Sequence, residues 1–278
     1  MARSIRALGT RVTVLVRSPD VRRTERAIHR ALREVAAIHQ DFTLFEPSPL
    51  VTFNHEARRQ RVEVPTWLHG ALSQASALQR VSSGTFDPWL GTLTSTTAPP
   101  PRVRGKVELD ADGRSLRLRG EGVALDLNGL AKGLAVDRCA RVLRDHGFCH
   151  FVVNAGGDLL AAGDDGSGEP GWPVHLAQGL VRSGLTLRLR DQAVATSGNL
   201  SRGAAGSTPH LIDPRTGLRT DPLRTATVKT TCAALADGWA TALFVAGPEH
   251  AAALVRKHAE LSAWVVTHDG QVSALGHA

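Results

Sequence analysis

The chain has 278 residues, is 42% hydrophobic and carries a net charge of +7, with arginine far outnumbering the lysines at 106, 132, 229 and 257. That length and apolar content suffice for one large domain or two small ones, and no apolar run approaches the roughly 20 residues needed to cross a bilayer. The arginines are scattered and not interleaved with aromatics, which argues for solvated helix faces and against a nucleic-acid surface. Cys139, Cys149 and Cys232 form no C-x-x-C pair. A disulfide framework or thiolate metal site is therefore not expected, and a reducing compartment is. No apolar signal region opens the chain, so the expectation is a cytoplasmic protein.

The first element is a strand over 11–16. Ile28, Leu32, Val35 and Ile38 then recur at helical spacing, predicting a helix over 21–42. Residues 42–54, with prolines at 47 and 49, read as a loop. A second helix is predicted over 67–81, ended by Ser82-Ser83-Gly84. Residues 92–105 are rich in Thr and Pro and read as an exposed connection. Strands over 106–109, 115–118 and 123–127 follow, the first two joined by a turn at Asp110-Ala-Asp-Gly113. Asn128 is placed as the N-cap of a helix over 129–146 with Gly147 as its stop. Short strands are expected at 151–153, 174–176, 185–189, 193–196 and 262–267. Helices are expected at 232–245, stopped by Gly247-Pro248, and at 249–259. Irregular alternation of strands and helices points to an α+β fold, with mixed or antiparallel sheets packed against helices in a single large domain over 1–278.

Several short stretches carry chemical potential. In Asp126-Leu-Asn-Gly-Leu-Ala-Lys-Gly133 an acid, two glycines and a lysine sit where an extended segment enters a helix, a place where backbone N–H groups and an ammonium can meet phosphate. Its spacing matches neither the dinucleotide-binding nor the P-loop pattern. Lys132 there opposes the helix dipole, a cost more easily tolerated beside a bound anion. Asn154-Ala-Gly-Gly-Asp158 follows.

Asp237 and Thr241 stand one helical turn apart. They suit a hard cation such as Mg²⁺, or equally a solvated carboxylate with a threonine packed inward. His210 precedes the turn Asp213-Pro-Arg-Thr-Gly217, as a general base, a phosphate contact or a structural histidine. Asp87, in Gly84-Thr85-Phe86-Asp87-Pro88, either faces a cleft or caps a turn. Ala195-Thr-Ser-Gly198 ends a strand with two hydroxyls that either line an anion site or close a loop, and no serine-hydrolase elbow is present.

The order of these pieces, with Gly9-Thr10 before the first strand, Ala135-Val-Asp137 and Leu235-Ala-Asp-Gly-Trp-Ala-Thr-Ala-Leu-Phe244, strongly resembles the ApbE-type flavin transferases from about residue 8 to 270. The resemblance implies a T-fold-related α+β architecture. It also implies Mg²⁺-dependent transfer of FMN from FAD through a phosphoester to a threonine or serine hydroxyl of a target flavoprotein, with AMP released. Asp237 and Thr241 would be Mg²⁺ ligands, joined by the Ala131 carbonyl. Thr85, Phe86, Asp87, Asp126, Lys132, Gly156 and Gly157 would line the FAD site. His210 would sit near the phosphates or the acceptor hydroxyl, and His210 and Asp237 would be the catalytic pair. Two other readings share the same residues: an FAD pyrophosphatase giving FMN and AMP, and an FAD-binding protein without turnover. Asn128 stands where the family usually has glycine. The chain has no tyrosine, so an aromatic partner for the flavin would come from Phe45, Phe86 or a tryptophan.

Overall fold

The computed structural model describes residues 1–90, 104–176, 186–198 and 211–276. In chain order the elements are β1 (Ala2–Ala7), β2 (Thr10–Val16), α1 (Val21–Phe42), α2 (Pro49–Arg59), β3 (Val62–Glu63), α3 (Thr66–Val81), β4 (Arg104–Leu109), β5 (Ser115–Glu121), α4 (Asn128–Asp145), β6 (Phe151–Ala155), β7 (Asp158–Ala162), β8 (Trp172–His175), β9 (Thr186–Leu189), β10 (Gln192–Gly198), β11 (Ile212–Asp213), β12 (Leu218–Arg219), β13 (Thr225–Thr230), α5 (Ala233–Lys257), β14 (Ser262–Val266) and β15 (Val272–Gly276). Eight strands form one sheet in the order β1-β2-β6-β7-β10-β13-β14-β15, and every neighbouring pair is antiparallel. This is the α+β class read from the alternation of elements, with antiparallel pairing throughout the main sheet.

Period-2 alternation explains the two faces of the sheet. Val12, Val14, Phe151, Val153, Leu160 and Ala195 point into the main core beneath α1, α4 and α5. Leu15, Val152, Leu159, Ala161 and Val194 point to the other face, where Trp172 and Leu189 of the β8–β9 hairpin cover them. The central strand β7 is buried at all five positions. Each large apolar side chain so buried contributes about 1.5–3 kcal/mol relative to exposure.

The helices also follow local chemistry. Asp20 caps α1 by accepting the Arg23 N–H, and the apolar stripe at 28, 32, 35 and 38 is buried. The loop expected over 42–54 is corrected from residue 49 onward, where α2 begins and runs to Arg59. Ser48 is its N-cap, accepting the Val51 N–H, and Pro49 takes the first helical position, where the missing N–H of proline is harmless.

The expected strand over 123–127 is a buried extended segment with one isolated bridge, Leu90 to Ala124. Its backbone is held by the Asn54 amide, which donates to the Leu125 carbonyl at 2.9 Å and accepts its N–H at 2.7 Å. The carbonyls of Pro88 and Trp89 take the N–H groups of Asp126 and Ala124.

Asn128 is the first helical residue of α4 and not its cap. The Asp126 carboxylate accepts the Asn128 N–H at 2.8 Å, so an Asx turn starts the helix. Gly147 ends it as expected, its N–H bonded to the Arg144 carbonyl. The two helices expected on either side of Gly247 run as α5, broken at Gly247 with φ 75°. The connection expected at 92–105 lies largely outside the described residues, and β4 begins at Arg104.

Asp137 of α4 joins that helix to α5. Its carboxylate accepts the N–H groups of Ala233 and Ala234, both at 2.9 Å, and the Cys232 thiol at 3.0 Å. The first turn of α5, which has no cap of its own, is thus capped from a neighbouring helix. The close approach depends on Gly133, where a Cβ would lie 2.3 Å from the Ala233 carbonyl oxygen.

Candidate functional site

The start of α4, the β6–β7 turn, the end of β10 and the second turn of α5 meet around a cleft of about 800 Å³, within the size range of small-molecule sites. Lys132 and Asp237 face it, and a third charged residue, Asp158, stands behind them. The Lys132 ammonium is paired with Asp158 Oδ2 and lies 3.2 Å from Asp237 Oδ1. The remaining oxygen of each carboxylate has a backbone donor. Gly133 N–H donates to Asp237 Oδ2 at 3.0 Å, and Thr196 N–H donates to Asp158 Oδ1 at 3.1 Å. The aspartate side chains are 2% and 3% exposed, whereas that of Lys132 is 32% exposed, so the lysine is the member of this trio whose side chain reaches solvent.

Electrostatics follow from the geometry. Burial alone would lower the Lys132 pKa, but the carboxylates of Asp237 and Asp158 outweigh it and hold the ammonium protonated above the ordinary lysine range. Burial raises the Asp237 pKa, Lys132 opposes that shift, and Asp158 adds to it. With all three ionised the trio carries a net charge of −1, an environment that favours a further cation.

One turn beyond Asp237, the Thr241 hydroxyl lies 3.1 Å from the Ser197 hydroxyl at the end of β10. Next along, the hydroxyls of Thr196 and Thr227 are 2.9 Å apart. Opposite, Gly156 and Gly157 form the two-residue turn between β6 and β7, with φ of 66° and 106°. Both values belong to the left-handed region that glycine adopts without strain. Asn154 Oδ1 accepts the Gly157 N–H at 2.9 Å. A Cβ at Gly156 would lie 2.4 Å from Thr10 Oγ1, so the start of β2 presses on the turn from outside.

The model of the ApbE family matches residues 8–265. The chain belongs to this family. A curated relative named FAD:protein FMN transferase from Rhodobacter capsulatus is 31% identical over 264 residues, covering 85% of this chain and 50% of the relative. One of the same name from Klebsiella pneumoniae (strain 342) is 28% identical over 252 residues, covering 81% and 77%. The chain thus spans half the length of the first relative and most of the second. Among solved structures, the flavin transferase ApbE from Vibrio cholerae superposes with a TM-score of 0.85 at 22% identity over 99% of this chain and 96% of that one. The apo Pseudomonas stutzeri flavinyl transferase ApbE gives 0.84 at 24% over 100% and 97%. At these identities the likeness establishes the fold.

In this ApbE-family chain, most of the site residues named from sequence gather at one place. Thr85, Phe86, Asp87, Asp126, Lys132, Gly156, Gly157, Asp237 and Thr241 all border the cleft. Ala131 is buried beside them in the first turn of α4. Some are already engaged: Thr85 Oγ1 donates to the Ser82 carbonyl at 2.8 Å, fixing the turn before Phe86. Asp87 Oδ1 accepts from the Gln79 amide and the Trp89 N–H, both at 3.0 Å. Burial raises the Asp87 pKa and the Trp89 N–H opposes the rise. His210 lies outside the described residues. Phe45 stands at the cleft, 74% exposed. The sequence singles out no role for Asp158, and for Ser197 only a place in a strand end that lines an anion site or closes a loop. Nothing local announces that Asp158 crosses to Lys132.

Proposed function

We propose that this chain transfers the FMN half of FAD to a threonine or serine hydroxyl of a target flavoprotein, forming a phosphoester and releasing AMP, with Mg²⁺ at Asp237 and Thr241. The names of the curated relatives and the family membership support the transfer. The observation that carries it is the convergence of Lys132, Asp237 and Thr241 on one cleft beside the Gly156-Gly157 turn.

The donor chemistry fits Mg²⁺. Asp237 and Thr241 offer hard oxygens one turn apart, and the Ala131 carbonyl would be the third protein donor. Among the described residues no three His, Cys, Asp or Glu side chains form a self-sufficient metal cage. That suits an ion which keeps waters and shares its site with phosphate. When bound, the cation would neutralise charge on the pyrophosphate oxygens.

The chain's own residues supply the rest. Lys132, held protonated by two carboxylates, offers a permanent positive charge to a phosphate oxygen. The Gly156-Gly157 turn lets a ligand approach the backbone closely. The acceptor oxygen attacks the phosphorus of the FMN half, the bond to the AMP phosphate breaks, and the acceptor proton leaves. His210 is proposed as the group that receives that proton. Phosphoryl chemistry of this kind depends on positioning and charge more than on covalent help.

The test is incubation with FAD, MgCl₂ and a candidate acceptor flavoprotein. The expected result is flavin fluorescence that stays on the denatured acceptor, with one AMP released per adduct, both lost on adding EDTA. Free FMN and AMP without an adduct would replace transfer by hydrolysis, and bound FAD without AMP would leave only a binding protein.

A further inference from the structure

Asp158 is 2% exposed and is not among the residues bordering the cleft, yet it pairs with the ammonium of Lys132, which does border it. It is the first residue after the Gly156-Gly157 turn, and β10 pins it through Thr196. Every oxygen of Asp158 and Asp237 has a protein donor, and the same ammonium serves one oxygen of each. A divalent cation arriving at Asp237 Oδ1 therefore meets an ammonium already there. Like charges repel in a poorly solvated site, so the two can coexist only if the ammonium has another anchor.

We infer that Asp158 is a positioning residue that retains the Lys132 ammonium when Asp237 turns its Oδ1 to a divalent cation. This rests on the reading of Asp237 as a cation ligand. Asp158 touches neither the cation nor the flavin nucleotide and acts through Lys132 alone. With Asp158 present, lysine and cation occupy separate carboxylates and both point at the phosphates. Without it the ammonium has only Asp237 and competes with the metal.

The competition makes a suppressor experiment decisive. Mn²⁺, which shares the oxygen preference of Mg²⁺, is titrated into the flavin-free protein and the free ion is followed by electron paramagnetic resonance. Asp158→Asn keeps an acceptor for the Thr196 N–H, and its Kd for Mn²⁺ is expected to rise at least tenfold over wild type. Lys132→Met alone should bind Mn²⁺ at least as tightly as wild type, because the competitor is gone. The double variant should return to within about threefold of wild type, tenfold being about 1.4 kcal/mol.

A double variant that binds no better than Asp158→Asn would overturn the inference, since loss of charge or of structure is not repaired by a second substitution. Weaker binding by Lys132→Met would overturn it too and needs no Asp158 variant to fold. Wild-type protein that binds no Mn²⁺ would remove both the cation reading and this one. Wild-type binding without suppression would remove this one only. Flavin and acceptor are absent throughout, so failure of the transfer assay is a separate result.

Discussion

The backbone N–H of Gly133 in α4 donates to the Asp237 carboxylate in α5 at 3.0 Å, so the adjacent helix fixes the orientation of that carboxylate. The same glycine lets the helices approach: a Cβ there would lie 2.3 Å from the Ala233 carbonyl oxygen and 2.5 Å from Ala234 Cα. Both obstacles are backbone and cannot rotate away. Gly133→Ala is expected to destabilise the fold by roughly 1–3 kcal/mol or more and to lower flavin transfer more than the loss of folded protein explains. Thermal unfolding beside transfer assays well below the melting point would check it. An unchanged melting temperature would count against the helix contact.

Asp137 caps α5 from a neighbouring helix, satisfying two N–H groups at once. Asp137→Ala removes both bonds, and a lost cap costs about 0.5–2 kcal/mol. Urea unfolding should show that loss at an unchanged slope. A midpoint equal to wild type would mean that solvent caps the helix as well as the carboxylate does.

Burial already disfavours the charged form of Asp237, so Asp237→Asn should fold with near-wild-type stability while keeping an acceptor for Gly133. It is expected to lower AMP release by 100-fold or more, the scale of losing a preorganised electrostatic partner. Lys132→Ala should weaken FAD turnover as well. Chromatographic AMP assays on purified variants decide both, and wild-type turnover in either would contradict its assigned role.

Asp213 and Arg215 form a two-pronged ion pair, with Nε to Oδ1 at 2.9 Å and Nη2 to Oδ2 at 2.8 Å. Burial would raise the Asp213 pKa, but the hydrogen bonds and charge of Arg215 win and hold it below 3.8. A depressed folded-state pKa contributes stability that is present above the unfolded value and lost as pH falls through the folded one. Asp213→Asn should therefore be less stable than wild type at pH 7, and the gap should close as pH drops below 3.8. Urea midpoints of both proteins across that range measure it. A gap independent of pH would mean that the ion pair contributes nothing through its charge.

What the sequence revealed tracks how local each cause is. Helix α1 was legible because Ile28, Leu32, Val35 and Ile38 repeat at 3.6-residue spacing on one buried face. The strand β7, Asp-Leu-Leu-Ala-Ala, was not, because burial on both faces leaves no alternation to read. Residues 123–127 have the composition of a strand, but their backbone groups are taken by the Asn54 side chain at Leu125, seventy-one residues away, and by the carbonyls of Pro88 and Trp89. Ser48-Pro49 was a legible helix start hidden among prolines that suggested loop.

The site shows the same division. The residues Lys132, Asp237 and Thr241 could be named because the order of the short motifs carries the family resemblance, although each motif alone left its role open. The pairing of Lys132 with Asp158 could not, because it arises only when the β6–β7 turn folds that carboxylate across to α4.

The break in α5 at Gly247 interrupts the ladder of hydrogen bonds between the stretch bearing Asp237 and Thr241 and the stretch from Pro248 to Lys257. Helical order is cooperative along an unbroken ladder, so unwinding that starts at the outer end has no continuous path inward. The outer stretch can exchange its amide hydrogens by local opening while the inner one, capped by Asp137 and packed against α4, opens only with the whole molecule. Motion at that outer end is thereby kept out of the register of the Asp237 carboxylate and the Thr241 hydroxyl.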